Sequence, residues 1–172
     1  ENAEEWNIDP EQIYVCGFSA GGHLAASTGV FWNRDWVRKL GFLGDSHKPD
    51  GLILSYPVIT GGEFAHRGSF ENLVGDQCWD ELVELNSLEE QVSKDTPRCF
   101  VWHTSEDGGV PVQNSLLFAS ALANNGVPFE LHVYPHGEHG LSLANELVCD
   151  ASGVLPKVQS WVPFAKEWIF GR

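Results

Sequence analysis

The 172-residue chain is 42% hydrophobic, with 7 Trp and 10 Phe, so it has apolar material for one core and lies far from disordered composition. Ten Lys and Arg against 24 Asp and Glu give a formal charge of −14, a field that repels phosphate and excludes charge-driven binding to nucleic acid or an anionic membrane. No run reaches the ~18 apolar residues of a membrane span, and Cys16, Cys78, Cys99 and Cys149 form no CxxC pair, which points to a reducing, cytoplasmic setting without structural zinc or disulfides.

The opening ENAEEWNIDPEQ has the pattern of the last turns of a helix, and the chain contains no Met, so it reads as a processed chain or a fragment. Ile13 to Phe18 is the first predicted strand, and the Ala-rich stretch from Ala20 to Trp32 is the first helix. Gly51 to Val58 is a second strand, closed by Pro57 and the pair Gly61 and Gly62. From about 59 to 97 the pattern loosens into short helices and loops, an expected insertion over the sheet edge. Arg98 to Thr104 is a third strand. Val112 to Asn125 follows as a helix, with Pro111 at its start and Gly126 and Pro128 beyond its end. Phe129 to Pro135 is a fourth strand. The C-terminal stretch aligns Val158, Trp161, Val162, Ala165, Trp168 and Ile169 on one helical face, with Pro163 starting or kinking that helix. Strands alternating with helices define an α/β fold with a mostly parallel sheet buried on both faces.

Gly17-Phe18-Ser19-Ala20-Gly21, followed by Gly22, lies between the first strand and the first helix. In that context GxSxG is a sharp turn: small neighbours let strand and helix approach, and the serine hydroxyl projects at the carboxyl end of the sheet. The helix N-terminus adds positive potential there, and the Ala20 amide is placed to donate to an oxyanion. GxGxxG and the GK[ST] ending of a phosphate loop are both absent.

A serine hydroxyl needs a base to take its proton, and the base needs a carboxylate to hold its tautomer. The acid is expected after the third strand, in HTSEDGGVP, where Asp107 is favoured over its neighbour Glu106. The base is expected after the fourth strand, in HVYPHGEHGLSLA, where His139 is favoured over His136. HGEH carries Pro135, Gly137 and Gly140 around it and does not match the spacing of histidines on one helix face, so zinc is not the reading. The remaining histidines read as structural or surface groups, with pocket lining the second option for His103 and His66; Cys16 is expected to fill strand space, and Trp32, Trp36, Trp161 and Trp168 fit core or helix faces.

With these residues the chain resembles the α/β-hydrolase superfamily, and within it the bacterial acetyl esterases and xylan-deacetylase-like esterases. The resemblance rests, in chain order, on VCGFSAGGHLAA, SYPVITGGEFAHRGSFENLVG, VWHTSEDGGVPVQNSLLFASAL and GVPFELHVYPHGEHGLSLA. It implies Ser19 as nucleophile, Asp107 as acid, His139 as base and Ala20 as an oxyanion donor. It also implies a small-molecule ester substrate with a short acyl group, acetyl foremost, no metal or organic cofactor, and a 59–97 segment that caps the pocket. Such enzymes carry further strands and an HGGG-type loop before the nucleophile. The expectation is therefore that this chain is the C-terminal part of a longer catalytic domain, inactive alone and inclined to self-associate through the edge of its first strand. A serine peptidase of the prolyl-oligopeptidase kind and a non-catalytic binding protein of the same fold are the alternative readings.

Overall fold

The computed structural model describes residues 2–42, 44–75 and 79–171. Four strands, β1 (Tyr14–Phe18), β2 (Gly51–Ser55), β3 (Arg98–Thr104) and β4 (Phe129–Tyr134), form one parallel sheet in the order β1-β2-β3-β4. The two central strands, β2 and β3, are buried on both faces, as parallel strands covered by helices must be.

Side-chain alternation assigns the two layers. Leu52, Leu54, Cys99 and Val101 face α1 (Ala20–Phe31) and α5 (Gln113–Asn124), where they meet Ala26, Val30, Phe118 and Leu122. Ile53, Phe100 and Trp102 face the opposite way, onto Trp161 and Ala165 of α7 (Trp161–Phe170), and the Trp102 and Trp161 rings stack at 5.4 Å. Burial of a side chain of this size contributes about 2–3 kcal/mol. The connection between β2 and β3 contains α3 (Arg67–Val74), α4 (Trp79–Asn86) and a 3-10 turn at Leu88–Gln91, and its Leu88 and Val92 join the α1 and α5 layer.

Several predicted details differ. The second strand stops at Ser55 and does not reach Val58, because Tyr56 adopts a φ of 38° and the chain turns so that Val58 N–H donates to Ser19 O at 3.1 Å. A short helix α2 (Asp35–Arg38) follows α1 and was not expected; its Trp36 is 53% exposed, tilted onto Phe31, while Trp32 and Trp161 are buried. The C-terminal face divides: Val158 belongs to a separate turn, α6 (Pro156–Gln159), and Val162 points outward, whereas Trp161 and Ala165 are buried. Of the two roles open to Pro163, the structure has the first: it lies in the starting turn of α7, where an N–H has no helical partner to lose, and does not kink the helix. Cys16 is exposed and does not fill core space: among the described residues β1 pairs with β2 alone, whereas Cys99 of β3, a strand paired on both sides, is fully buried. Cys78 lies outside the described residues. Among the described residues no helix is long and apolar enough to cross a membrane.

Asn114, near the start of α5, ties the layers together at the carboxyl end of the sheet. Its Oδ1 accepts from the N–H groups of Ile59 and Thr60, and its Nδ2 donates to Phe64 O and Pro111 O, so a fully buried amide has all its hydrogen-bonding capacity used.

Candidate active site

The turn from β1 into α1 is tight enough that glycine is obligatory at two places. A Cβ on Gly17 would lie 2.6 Å from the Gly21 carbonyl carbon and 2.8 Å from Ala25 Cβ, and one on Gly22 would lie 2.8 Å from Pro57 Cβ. A Cβ on Gly21 would meet nothing within 4 Å, so the expectation that all three glycines clear space for the turn holds for Gly17 and Gly22 only. Ser19 itself has φ 55° and ψ −124°, a backbone state that L-residues rarely adopt. The surroundings hold it there: Ser19 N–H donates to Ser55 O at 3.0 Å, and Ser19 O accepts from Gly22 N at 3.0 Å and from Val58 N at 3.1 Å. The hydroxyl therefore sits where β1 ends and α1 begins, at the positive end of a twelve-residue helix. Ala20 is the first residue of that helix, so its N–H has no partner within it.

The other two groups reach this point from the carboxyl ends of β3 and β4, across the sheet beyond β2. Ser19 Oγ lies 2.7 Å from His139 Nε2, and His139 Nδ1 lies 2.7 Å from Asp107 Oδ2. With Nδ1 donating to the carboxylate, Nε2 is free to accept the serine proton. Asp107 follows β3 and has a side chain only 1% exposed, whereas the His139 side chain, on the loop after β4, is 27% exposed. Burial pushes the Asp107 carboxyl up, but hydrogen bonds from His103, His139 and the Val110 N–H outweigh it and hold the carboxyl well below the usual carboxylate range. Asp107 Oδ1 accepts from Gly109 N at 2.9 Å and Val110 N at 2.8 Å, which fixes the plane of the group.

The competitors are drawn elsewhere. Glu106 and His136 pair with each other at 2.8 Å on the exposed side of the same two loops. His66 precedes α3 and its Nδ1 lies 2.8 Å from Ser69 Oγ. His103 is not part of the wall of the cavity that opens next to Ala20; it is completely buried beneath the Asp107 loop.

Two further residues border the site without having been singled out by sequence. The Tyr56 ring stands edge-on to the His139 ring at 5.0 Å, and its hydroxyl accepts from Ser142 N at 3.0 Å, clamping the loop that carries His139. Its positive φ is the strained feature that puts the ring there, and only a context such as SYP, a residue ahead of proline at a strand end, hints at it. Asn114 is the other, since its amide holds the 59–64 loop beside the turn.

A cavity of about 550 Å³ opens next to Ala20, between α1 and the α3 and α4 helices. Its wall is mostly apolar, with Leu24, Phe31, Val58, Phe70 and Leu73, and includes His23 and Asn86. Ser19 and His139 are not part of that wall, so the cavity flanks the hydroxyl and does not enclose it.

The family model BD-FAE matches residues 1–122. Endo-1,4-beta-xylanase B of Butyrivibrio fibrisolvens is 44% identical over 146 residues, covering 85% of this chain and 23% of that protein. Acetylxylan esterase of Xylanibacter ruminicola is 33% identical over 145 residues, covering 81% of this chain and 28% of that protein. Among solved structures, the acetyl ester-xyloside bifunctional hydrolase of Caldicellulosiruptor lactoaceticus superimposes with a TM-score of 0.83 at 43% identity, covering 97% of this chain and 59% of that one. The chain thus spans about a quarter of the curated relatives and three fifths of the solved one.

Proposed function

Because this chain belongs to the BD-FAE family and has the α/β-hydrolase fold, we propose that it carries the catalytic centre of a serine carboxylester hydrolase. The substrate class is a small or carbohydrate ester with a short acyl group, acetyl foremost. The observation that carries the reading is the unbroken series from Ser19 Oγ through His139 to Asp107, with both links at 2.7 Å.

In the proposed reaction His139 Nε2 takes the Ser19 proton as Oγ bonds to the ester carbonyl carbon. The carbonyl oxygen gains the electron pair, with the Ala20 N–H positioned to stabilise it at the positive end of α1. Collapse of the tetrahedral species breaks the bond to the alcohol, and the imidazolium returns the proton to the leaving oxygen. Water then repeats the cycle on the acyl-serine and releases the acid. Asp107 remains a carboxylate throughout, a state its hydrogen bonds favour. The cavity between α1 and the 59–97 segment offers room for the acyl or alcohol portion. The proposal places the protein in a reducing, cytoplasmic setting, and the three described cysteines are free.

The test is labelling of the full-length protein by a fluorophosphonate, with peptide mapping and acetate release from p-nitrophenyl acetate measured in parallel. The expected result is one label, on Ser19, absent in Ser19→Ala together with acetate release. Labelling elsewhere, or release undiminished in Ser19→Ala, overturns the proposal.

A further inference from the structure

Asp107 meets a second imidazole. His103, in β3 and completely buried, places Nε2 2.9 Å from Val110 O and 3.3 Å from Asp107 Oδ2, and places Nδ1 2.7 Å from Ser115 Oγ on α5. Val110 O and the carboxylate can only accept, so the ring proton is on Nε2, shared between them, and the Ser115 hydroxyl donates to Nδ1. The shorter distance marks Val110 O as the main acceptor and Asp107 Oδ2 as the secondary one. The same Val110 peptide donates its N–H to Asp107 Oδ1.

We propose that His103 is a positioning residue for the Asp107–His139 pair: fixed by Ser115, its Nε2–H holds the Val110 peptide and one side of Asp107 Oδ2, leaving the carboxylate one orientation in which to receive His139 Nδ1. The inference rests on the relay described above but not on turnover. A buried imidazole with both nitrogens engaged costs less than one left open, and all of its hydrogen bonds go to α5 or to the loop that carries the acid. The backbone amides of Gly109 and Val110 satisfy Oδ1, so Oδ2 is the oxygen shared by the two histidines. Without the inner donor, Oδ2 keeps His139 as its one side-chain partner and the Val110 peptide, whose N–H holds Oδ1, loses the donor on its carbonyl, so the hold on the carboxylate is loosened on both oxygens. The exposed Glu106 and His136 pair with each other and the Tyr56 ring faces His139, so no other described side chain substitutes for His103 at that oxygen.

The experiment is NMR of the isotopically labelled full-length protein, its His103→Leu variant and its His103→Gln variant, following the Asp107 carboxyl carbon and the His139 Nδ1 proton. In His103→Leu the Asp107 carboxyl is expected to begin protonating about one pH unit higher, the loss of one hydrogen bond to the charged form, and the His139 Nδ1 proton signal to broaden or move upfield. His103→Gln, whose amide offers an N–H near the place of Nε2, is expected to restore both in large part. A folded His103→Leu variant with both signals at wild-type positions overturns the inference. Should that variant not fold, Ser115→Ala decides: the same two signals move in the same direction by a smaller amount, or the inference falls. Neither readout needs catalysis, so shifted signals in a protein without esterase activity sink the hydrolase proposal and leave the role of His103 standing.

Discussion

The three glycines around Ser19 permit one substitution to be tested twice within a single motif, with opposite expected signs. Alanine at position 17 puts a methyl carbon 2.6 Å from the Gly21 carbonyl carbon and 2.8 Å from Ala25 Cβ, and neither is the end of a flexible side chain. Carbon atoms pack at about 3.5–4.0 Å, so α1 must retreat from β1 by about 1 Å. Movement of a twelve-residue helix is not local: it drags Ala25, Ala26 and Val30 off the sheet. Overpacking typically costs about 1–3 kcal/mol, and with backbone as the obstacle we expect the upper end, about 3 kcal/mol. For a chain of this size that corresponds to a fall in Tm of about 6–12 °C. Alanine at position 21 meets nothing within 4 Å and gains helix propensity of at most about 1 kcal/mol, a rise of a few degrees or no change. Urea unfolding followed by tryptophan fluorescence, with thermal scans beside it, measures both. Equal stability of Gly17→Ala and wild type, or equal damage from the two substitutions, refutes the steric account of the turn.

Asp107→Asn is expected to lower kcat for p-nitrophenyl acetate by about 10⁴-fold with KM little changed, because the wrong His139 tautomer is then favoured without altering the pocket; steady-state kinetics checks it, and a loss confined to KM speaks against the relay. The acid side of stability follows from the same residue. A carboxyl held below its ordinary value when folded contributes stability that is complete above its unfolded value, near pH 4, and is lost as pH falls below that toward the folded value. Unfolding free energy measured between pH 6 and 2 should therefore fall less steeply in Asp107→Asn than in wild type, once the substitution's own pH-independent cost is subtracted; parallel curves contradict the assignment.

Much of this was legible beforehand because it is written in short-range patterns. Apolar runs of strand length separated by helical spacing define a parallel α/β sheet, and β3 falls at Arg98–Thr104 as its apolar run predicts. The serine between glycines at a strand-to-helix junction, with acidic and histidine-bearing loops after later strands, points to one end of that sheet. Residues of one chemical type a few positions apart in one loop, however, cannot be told apart by composition and spacing. Whether Asp107 or Glu106, and His139 or His136, turns inward depends on the direction in which the loop leaves its strand, and the fold sends the second pair to solvent.

Burial is the other quantity that local sequence does not contain. For His103, at a strand end, the sequence leaves a structural role and a pocket wall both open, and Cys16 reads as strand filler; the fold seals the first between β3 and α5 and leaves the second exposed on β1, which among the described residues pairs with β2 alone. Periodicity told which faces of a strand or helix are apolar. What each face packs against was decided by strand order and by the layers above and below, since a side chain's environment is assembled from residues distant in the chain.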